Sequence, residues 1–402
     1  MHGQEVLLPE TVETIRRDFR AVVSQTYLDV ASCAPLSQAV RDSVARHLGD
    51  PEYGNDKQHA AAVVEHTRSL FAQLINAQPD DIALTKNVSE GLNIVANAMD
   101  WKAGDNMVVC PALEHPNNRY LWHNLAQRRG VELRLVPASG NEYPIEHMLA
   151  AIDAQTRLVT VSSVSYVPGF LTPLDRLAQL CRRNGALLLV DAAQSVGPMH
   201  TDVEAMGIDA LAVGTQKGLL GLYGMGFLYV RPAWAQRLQP MGLARSGVDE
   251  SATMGHGTVA EEIQLRGGAR RFDMGNYNLV GATAAKESLA LLTRFGTRAI
   301  QKHTVALALQ LSRGLTELDL PVCKPVAEKN QTHVVCLGSL IPPPPADQFQ
   351  WLHAFHGHLT HNRVRASWRD GVLRFSMHLY NNTADIHTVI GLARQFVAAH
   401  RR

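Results

Sequence analysis

The sequence is short of the features that would send it to a membrane, a nucleic acid or an oxidising compartment. No stretch is apolar for long enough to cross a bilayer. Thirty-eight lysines and arginines face thirty-seven aspartates and glutamates. That balance leaves no electrostatic footprint for nucleic acid or an anionic lipid surface. The five cysteines, Cys33, Cys110, Cys181, Cys323 and Cys336, are odd in number and form no CxxC pair, which fits a reducing compartment rather than a disulfide framework. Met1-His2-Gly3-Gln4-Glu5 is not a basic region leading into an apolar core, so no secretory signal is expected and the cytoplasm is the expected location. The histidines form neither HExxH nor a cluster with cysteine, so no metal site is expected. What remains is small-molecule chemistry in a globular chain that is 46% hydrophobic and 19% charged.

At 402 residues the chain is too long for a single ordinary core, so two lobes are expected. Apolar spacing predicts a helix over 9–23, a short strand over 27–30, a turn over 31–36 and a helix ending near residue 48. Proline and glycine make 50–56 a loop, and a long helix over 59–75 follows. Strand-like and helix-like stretches then alternate, which is the pattern of a parallel sheet covered by helices. Strands are predicted at 82–84, 106–110, 132–136, 158–162, 186–190, 210–213 and 226–230, and helices at 89–98, 117–129, 145–154 and 174–184. Residues 241–271 are glycine-rich and aperiodic, as in a functional loop or a surface lying against a partner. A helix over 280–292 leads to a second lobe. Its predicted elements are helix 300–318, strand 332–337, the proline run 342–345, helix 346–356, strands near 363–367 and 373–376, and helix 383–400. The expected architecture is α/β, a mostly parallel central sheet flanked by helices with a smaller α+β C-terminal domain. The expected divisions are 1–48, packing on the small domain, then 49–285 and 286–402.

Two stretches stand apart. Leu187-Leu188-Leu189-Val190 is the continuous apolar run of a strand buried on both faces, and it puts Asp191 at the carboxyl end, where open α/β sheets bind ligands. Residues 208–213 do the same for Lys217, which is followed by Gly218-Leu219-Leu220-Gly221. Lysine is ordinarily a solvated surface residue. In apolar surroundings desolvation lowers its pKa from about 10.4, which helps it attack an aldehyde and return as a base. An amine and a carboxylate at the ends of two buried strands suit a lysine that forms a Schiff base with a cofactor aldehyde and an aspartate that pairs with a pyridinium nitrogen. The cofactor such a pair calls for would be pyridoxal phosphate.

Thr85-Lys86-Asn87-Val88-Ser89-Glu90-Gly91 leads from a strand into a helix. Its first N–H groups and the Ser89 hydroxyl suit a phosphate, and the same residues also read as an N-cap with Glu90 in the first turn. Glu114-His115-Pro116-Asn117-Asn118 follows another strand end, where an imidazole either stacks on a flat ring or is simply solvated. Arg374 interrupts an apolar strand. Its guanidinium needs an anion, either a substrate carboxylate or an internal acid, and Arg369 competes for the role.

With these residues in hand, the chain resembles the class V aminotransferase superfamily of fold-type I pyridoxal-phosphate enzymes, which includes cysteine desulfurases, isopenicillin N epimerase-like proteins and kynureninase. The resemblance runs from Tyr27-Leu28-Asp29 through 87–91 and 185–191 to the Arg374 strand. It implies that Lys217 bonds the cofactor, Asp191 pairs with the ring nitrogen and His115 stacks on the ring. It implies further that Gln194 contacts the phenolic oxygen, Val88 and Ser89 hold the phosphate, and Arg374 receives the substrate α-carboxylate. A homodimer with shared active sites is also implied, in which residues 272–278 reach the neighbouring phosphate. Asn276 stands there in place of the threonine of many members.

The departures bear on the reaction. Gly214 and Gln216 replace a serine and a histidine of many relatives, which leaves Thr215 or Gln216 to hydrogen-bond phosphate. Tyr166 stands where desulfurases have asparagine and is nearer the kynureninase-like branch, so a different substrate pocket is implied. Residues 356–362, where desulfurases carry a nucleophilic cysteine on a loop, hold none. Cys336 lies in a strand-like run and reads as a buried apolar residue, which leaves Cys33, in a turn near the substrate side of relatives, as the candidate. The function implied is action at Cα of an amino-acid substrate with Lys217 as the base. Transamination is the expected outcome. A C–S β-lyase and an amino-acid epimerase are the enzymatic alternatives, and a cofactor-binding regulatory module is the non-enzymatic one. The substrate side chain is expected to be read by residues 241–271 and the partner subunit.

Overall fold

The strand Leu187–Asp191 is apolar along its length because both of its faces are covered. Leu188 and Val190 enter one apolar cluster, Leu187 and Leu189 the other. Its neighbours repeat the alternation, with Leu211 and Val213 against Ala210 and Ala212, and Phe227 and Tyr229 against Leu228 and Val230. Period-two side-chain geometry thus turns a uniformly hydrophobic sequence into a sheet with two cores.

The computed structural model describes residues 6–51, 56–138, 140–249 and 263–400. The elements begin with α1 (Pro9–Arg17), α2 (Arg20–Ser24), β1 (Thr26–Tyr27), α3 (Gln38–Gly49) and α4 (Lys57–Leu74). The large lobe continues with β2 (Ile82–Thr85), α5 (Val88–Ala98), β3 (Asn106–Val109), α6 (Asn117–Arg129), β4 (Glu132–Leu135), α7 (Ile145–Ala150) and β5 (Thr156–Ser162). Next come α8 (Leu174–Asn184), β6 (Leu187–Asp191), β7 (Ala210–Gly214), β8 (Gly226–Val230), α9 (Pro232–Ala235) and α10 (Leu279–Phe295). The remainder is α11 (Thr297–Thr316), β9 (Val322–Cys323), β10 (Val334–Leu337), α12 (Ala346–His361), β11 (Val364–Arg365), β12 (Ser367–Arg369), β13 (Val372–Ser376) and α13 (Thr383–His400).

The central sheet has the order β2-β8-β7-β6-β5-β3-β4. Only β8 runs against the others, pairing antiparallel with both β2 and β7, so the sheet is mixed but mostly parallel, as the alternating pattern predicts. A smaller antiparallel sheet, β12-β13-β10-β9, is covered by α11, α12 and α13. Gly91 lets α5 lie directly on β7, since a Cβ there would come within 2.9 Å of the Ala212 Cβ.

Three departures from the sequence reading have a visible physical cause. The helix over 9–23 breaks at Asp18–Phe19, where Phe19 turns extended and buries its ring 5.0 Å from that of Tyr380. The helix from Ile145 stops at Ala150, and the Asp153 carboxylate just beyond accepts hydrogen bonds from Asn106, Arg134 and the Gln155 N–H. The stretch 356–362, expected as a loop, continues α12 to His361, because Leu352, Phe355 and Leu359 form one buried stripe.

Around the expected divisions at 48/49 and 285/286 the packing is continuous along the chain. Residue 285 lies inside α10, which packs along α4 and α3 and ends at Gly296. β1 pairs with β11 and Arg16 pairs with Asp385, while α3 touches α10 through Ser43 and Glu287.

One buried ion pair fastens the segment after residue 271 to the large lobe. Arg68 and Asp273 are both fully buried and 2.8 Å apart. Arg68 also donates to the Ile82 carbonyl, and Asp273 accepts from Leu84 N–H and the Tyr277 hydroxyl. Removing one partner leaves a buried charge uncompensated. Asp273→Ala is expected to lower stability by about 3–5 kcal/mol, read as a fall in the urea midpoint.

Candidate active site

Five strands that run in the same direction, β2, β3, β5, β6 and β7, deliver their carboxyl ends to one side of the sheet. There they meet the turn after β1 and the strands β12 and β13 of the small sheet, around a cavity of about 500 Å³. Its wall brings together Val88 and Ser89, His115, Tyr166, Asp191 and Gln194, Gln216 and Lys217, and Arg369 and Arg374. Thr215, Cys33 and Asn276 are not part of that wall. A larger cavity of about 780 Å³ lies against His200, Arg298 and Lys302; among the described residues no carboxylate lines it.

After β2, Asn87 caps α5 by accepting from Glu90 N–H at 2.9 Å, while the Glu90 carboxylate accepts from Lys86 N–H. Both readings of this turn therefore coexist. The cap is made, and the N–H groups of Val88 and Ser89 remain at the helix end beside the cavity, in the favourable field for an anion. The Ser89 hydroxyl accepts from Asn117 at 2.9 Å.

Asp191 ends β6 with one oxygen on Ala193 N–H at 2.9 Å. Burial raises its pKa, and the Ala193 hydrogen bond and the Lys217 charge oppose that rise. Lys217 is pushed down to about 8 by desolvation, with Asp191 acting in the other direction. His115 is held down to about 4 by desolvation and by the charges of Lys217, Arg369 and Arg374, so its imidazole is neutral at pH 7. Its Nδ1 accepts from Asn117 N–H, and its ring meets the Tyr166 ring edge-on at 4.9 Å. Gln194 donates to the Ala31 carbonyl, and its buried Oε1 has no partner.

Arg374 is 1% exposed and held at three points. Nε donates to the Ser367 hydroxyl, Nη1 to the Tyr166 carbonyl at 2.9 Å and Nη2 to the Ser32 hydroxyl at 3.2 Å. None of these partners is a carboxylate, so the internal-acid alternative finds no acid here, and a guanidinium so enclosed calls for an anion. Arg369 donates to the same Ser32 hydroxyl at 2.7 Å.

Several residues behave differently from their sequence reading. Thr215 lies outside the wall, with its hydroxyl in hydrogen-bond reach of the carbonyls of Leu222 and Met225. Gln216 takes the place beside Lys217 by folding over Gly214, where a Cβ would come within 2.6 Å of the Gln216 Oε1. Cys33 is half-buried beside the wall, with the Tyr223 hydroxyl as hydrogen-bond partner. Cys336, in keeping with its sequence reading, is buried in β10 with its thiol on the Pro168 carbonyl and its pKa raised by burial. Asn276 is exposed in a left-handed turn, φ 44°. Of residues 241–271, 250–262 fall outside the described residues, and none of the rest line the cavity. Ser32 and Tyr223 were not singled out from sequence; the flagged turn over 31–36 was the signal for Ser32.

Behind the wall Glu114 is buried and accepts from Ser162 N–H, the Ser162 hydroxyl, the Tyr143 hydroxyl and Asn118. Burial and then the Asp191 charge push it up to about 7. The folded chain thus keeps a proton that the unfolded chain releases near 4.5, and stability falls as pH rises between those values. Glu114→Gln is expected to flatten that dependence, seen as a smaller difference in urea midpoint between about pH 5 and about pH 8.

Residues 26–389 match the family model described as aminotransferase class-V. A probable cysteine desulfurase of Methanothermobacter thermautotrophicus is 33% identical over 314 residues, covering 76% of each chain. An uncharacterized aminotransferase of Bacillus subtilis, YcbU, is 28% identical over 372 residues, covering 91% of this chain and 93% of its own. The apo structure of a cysteine desulfurase from Thermococcus onnurineus superposes with a TM-score of 0.83 at 23% identity, over 96% of this chain and 98% of that one, which shows the shared fold. A match across nearly the whole chain, on a mostly parallel sheet with a lysine and an aspartate at adjacent strand ends, makes this chain a member of the class-V aminotransferase family.

Proposed function

We propose that this chain is a pyridoxal-phosphate enzyme that moves a proton at Cα of an α-amino acid and that its reaction is transamination. The donor set fits that cofactor. A helix N-terminus and the Ser89 hydroxyl suit its phosphate, the Asp191 carboxylate its ring nitrogen, the half-buried His115 a flat ring, and the Lys217 amine its aldehyde. Gln194, with a buried amide oxygen still unpartnered, suits its polar ring substituents, and Gln216 stands ready beside Lys217. When bound, pyridoxal phosphate supplies an aldehyde and an electron-withdrawing ring.

The residues of the chain do the rest. Asp191 holds a proton at the ring nitrogen. Arg374 fixes the substrate carboxylate and with it the orientation of the Cα–H bond. Lys217 would take the proton from Cα and hold it on that same face of the substrate. The observation that carries transamination is that Lys217 is the one group of the wall, among the described residues, with an amine poised near neutrality, whereas His115 is held at about 4 and an amide stands at 216. A single base serves one face of the substrate, which suits transfer along that face better than inversion of Cα. Asn276 is read as a contact across a homodimer.

A second reading, C–S β-lysis, is favoured by the relative named a probable cysteine desulfurase. It would proceed without a loop cysteine, since 356–361 is helical and Cys336 is buried. Keto-acid formation against sulfide release, with solvent-deuterium exchange at Cα, separates the two readings and epimerisation.

The purified protein is expected to absorb visible light. A preparation that stays colourless with added pyridoxal phosphate overturns the proposal. Lys217→Ala is expected to remove that absorbance and to lower kcat by about 10²–10⁴-fold, measured as keto-acid formation.

A further inference from the structure

The wall of the cavity holds more positive charge than the proposed chemistry uses. Its cations are Lys217, Arg369 and Arg374, and its carboxylate is Asp191. On the proposed reading the phosphate rests on the end of α5, Asp191 faces the ring nitrogen and Lys217 the aldehyde. An α-carboxylate then satisfies Arg374. Arg369 is left over.

Two guanidiniums flank one hydroxyl, since Ser32 Oγ accepts from Arg369 Nη2 at 2.7 Å and from Arg374 Nη2 at 3.2 Å. Like charges at that spacing repel, and partial burial makes the repulsion harder to screen. Among the described residues Arg369 has no carboxylate partner: Nη1 reaches the Trp368 carbonyl at 3.4 Å, and its buried Nε finds no hydrogen-bond partner. Asp29, whose field reaches Arg374, is ion-paired with Arg365 at 3.4 Å. A carboxylate bound bidentate to one guanidinium fork leaves the second cation only its remaining lone pairs, so two carboxylates match the pair of arginines more fully than one. Arg374 is fixed by its three anchors, whereas Arg369, at the end of β12, is half-buried and retains its free Nε.

We infer that the substrate of this site is an α-amino acid whose side chain carries a second carboxylate, and that Arg369 is the residue that selects it. The inference rests on the pyridoxal-phosphate reading above and adds the substrate class to it. Arg369 binds the distal carboxylate while Arg374 keeps the α-carboxylate, so the two cations take one anion each.

The test compares each acidic amino acid with its amide, aspartate with asparagine and glutamate with glutamine, as kcat/KM on the holoenzyme. The wild type is expected to favour at least one acid over its amide by about 10-fold or more, the size of a charged hydrogen bond to a desolvated partner. Arg369→Gln is expected to bring that ratio close to one while the visible absorbance persists, and Arg369→Lys, which keeps the charge but not the fork, to restore part of it. If Arg369→Gln lowers the acid and the amide equally, Arg369 serves the α-carboxylate and the inference is wrong. A coloured wild type with no preference for either acid also overturns it. A wild type that stays colourless with added cofactor overturns the pyridoxal-phosphate reading first, and this inference with it.

Discussion

Charge held in an enclosed place is the constraint around which this molecule is built. Asp191, Lys217 and Arg374 all face one cavity, and each would be more comfortable in water. The fold holds them through neutral contacts: Ala193 N–H on Asp191, and Ser367, Tyr166 and Ser32 on Arg374. Those contacts fix position without cancelling charge. Ligands that bring a phosphate, a protonated ring nitrogen and carboxylates therefore find electrostatic interactions waiting, with little reorganisation required.

Such a site needs a rigid frame, and the alternation of side chains across the sheet supplies it. Each of the strands β6, β7 and β8 divides its apolar residues between two cores. A one-residue slip would exchange the two sets and also move Asp191 and Lys217 off the cavity, so packing and chemistry are locked to the same register. The small sheet contributes in the same way. Arg374 lies opposite Cys336 on one neighbouring strand and Ser367 on the other, so its guanidinium leaves the sheet at a point set by pairing rather than by loop conformation.

Legibility followed the range of the interaction. The seven central strands were readable because each needs only local hydrophobicity, and Asp191 and Lys217 were readable because strand ends in such sheets are defined places. Arg374 was readable as a cation inside an apolar run. Contacts between distant segments were not. Nothing in the sequence around Thr215 shows that its hydroxyl is used by the carbonyls of Leu222 and Met225, and nothing around Ser32 shows that two arginines from residues 369 and 374 converge on it. The helix through 356–361 was missed for a different reason: Gly357 and several histidines weaken the local pattern, and the buried stripe of Leu352, Phe355 and Leu359 overrides it.

The two departures near the lysine turn out to be one. Gly214 has no Cβ, and the amide of Gln216 lies over the space where one would be, 2.6 Å from its ideal position. A serine at 214 would displace the Gln216 amide from its present place, so glycine at 214 is what leaves room for it there. The amide that results carries no titratable proton near neutral pH, and burial with three neighbouring cations keeps His115 deprotonated as well. Proton traffic at this cavity is therefore concentrated on Lys217, and the surrounding residues act by holding charge and orientation. On the proposed reading such a site suits chemistry that one mobile base completes on one side of its substrate, and Arg369 then serves to choose which substrate that is.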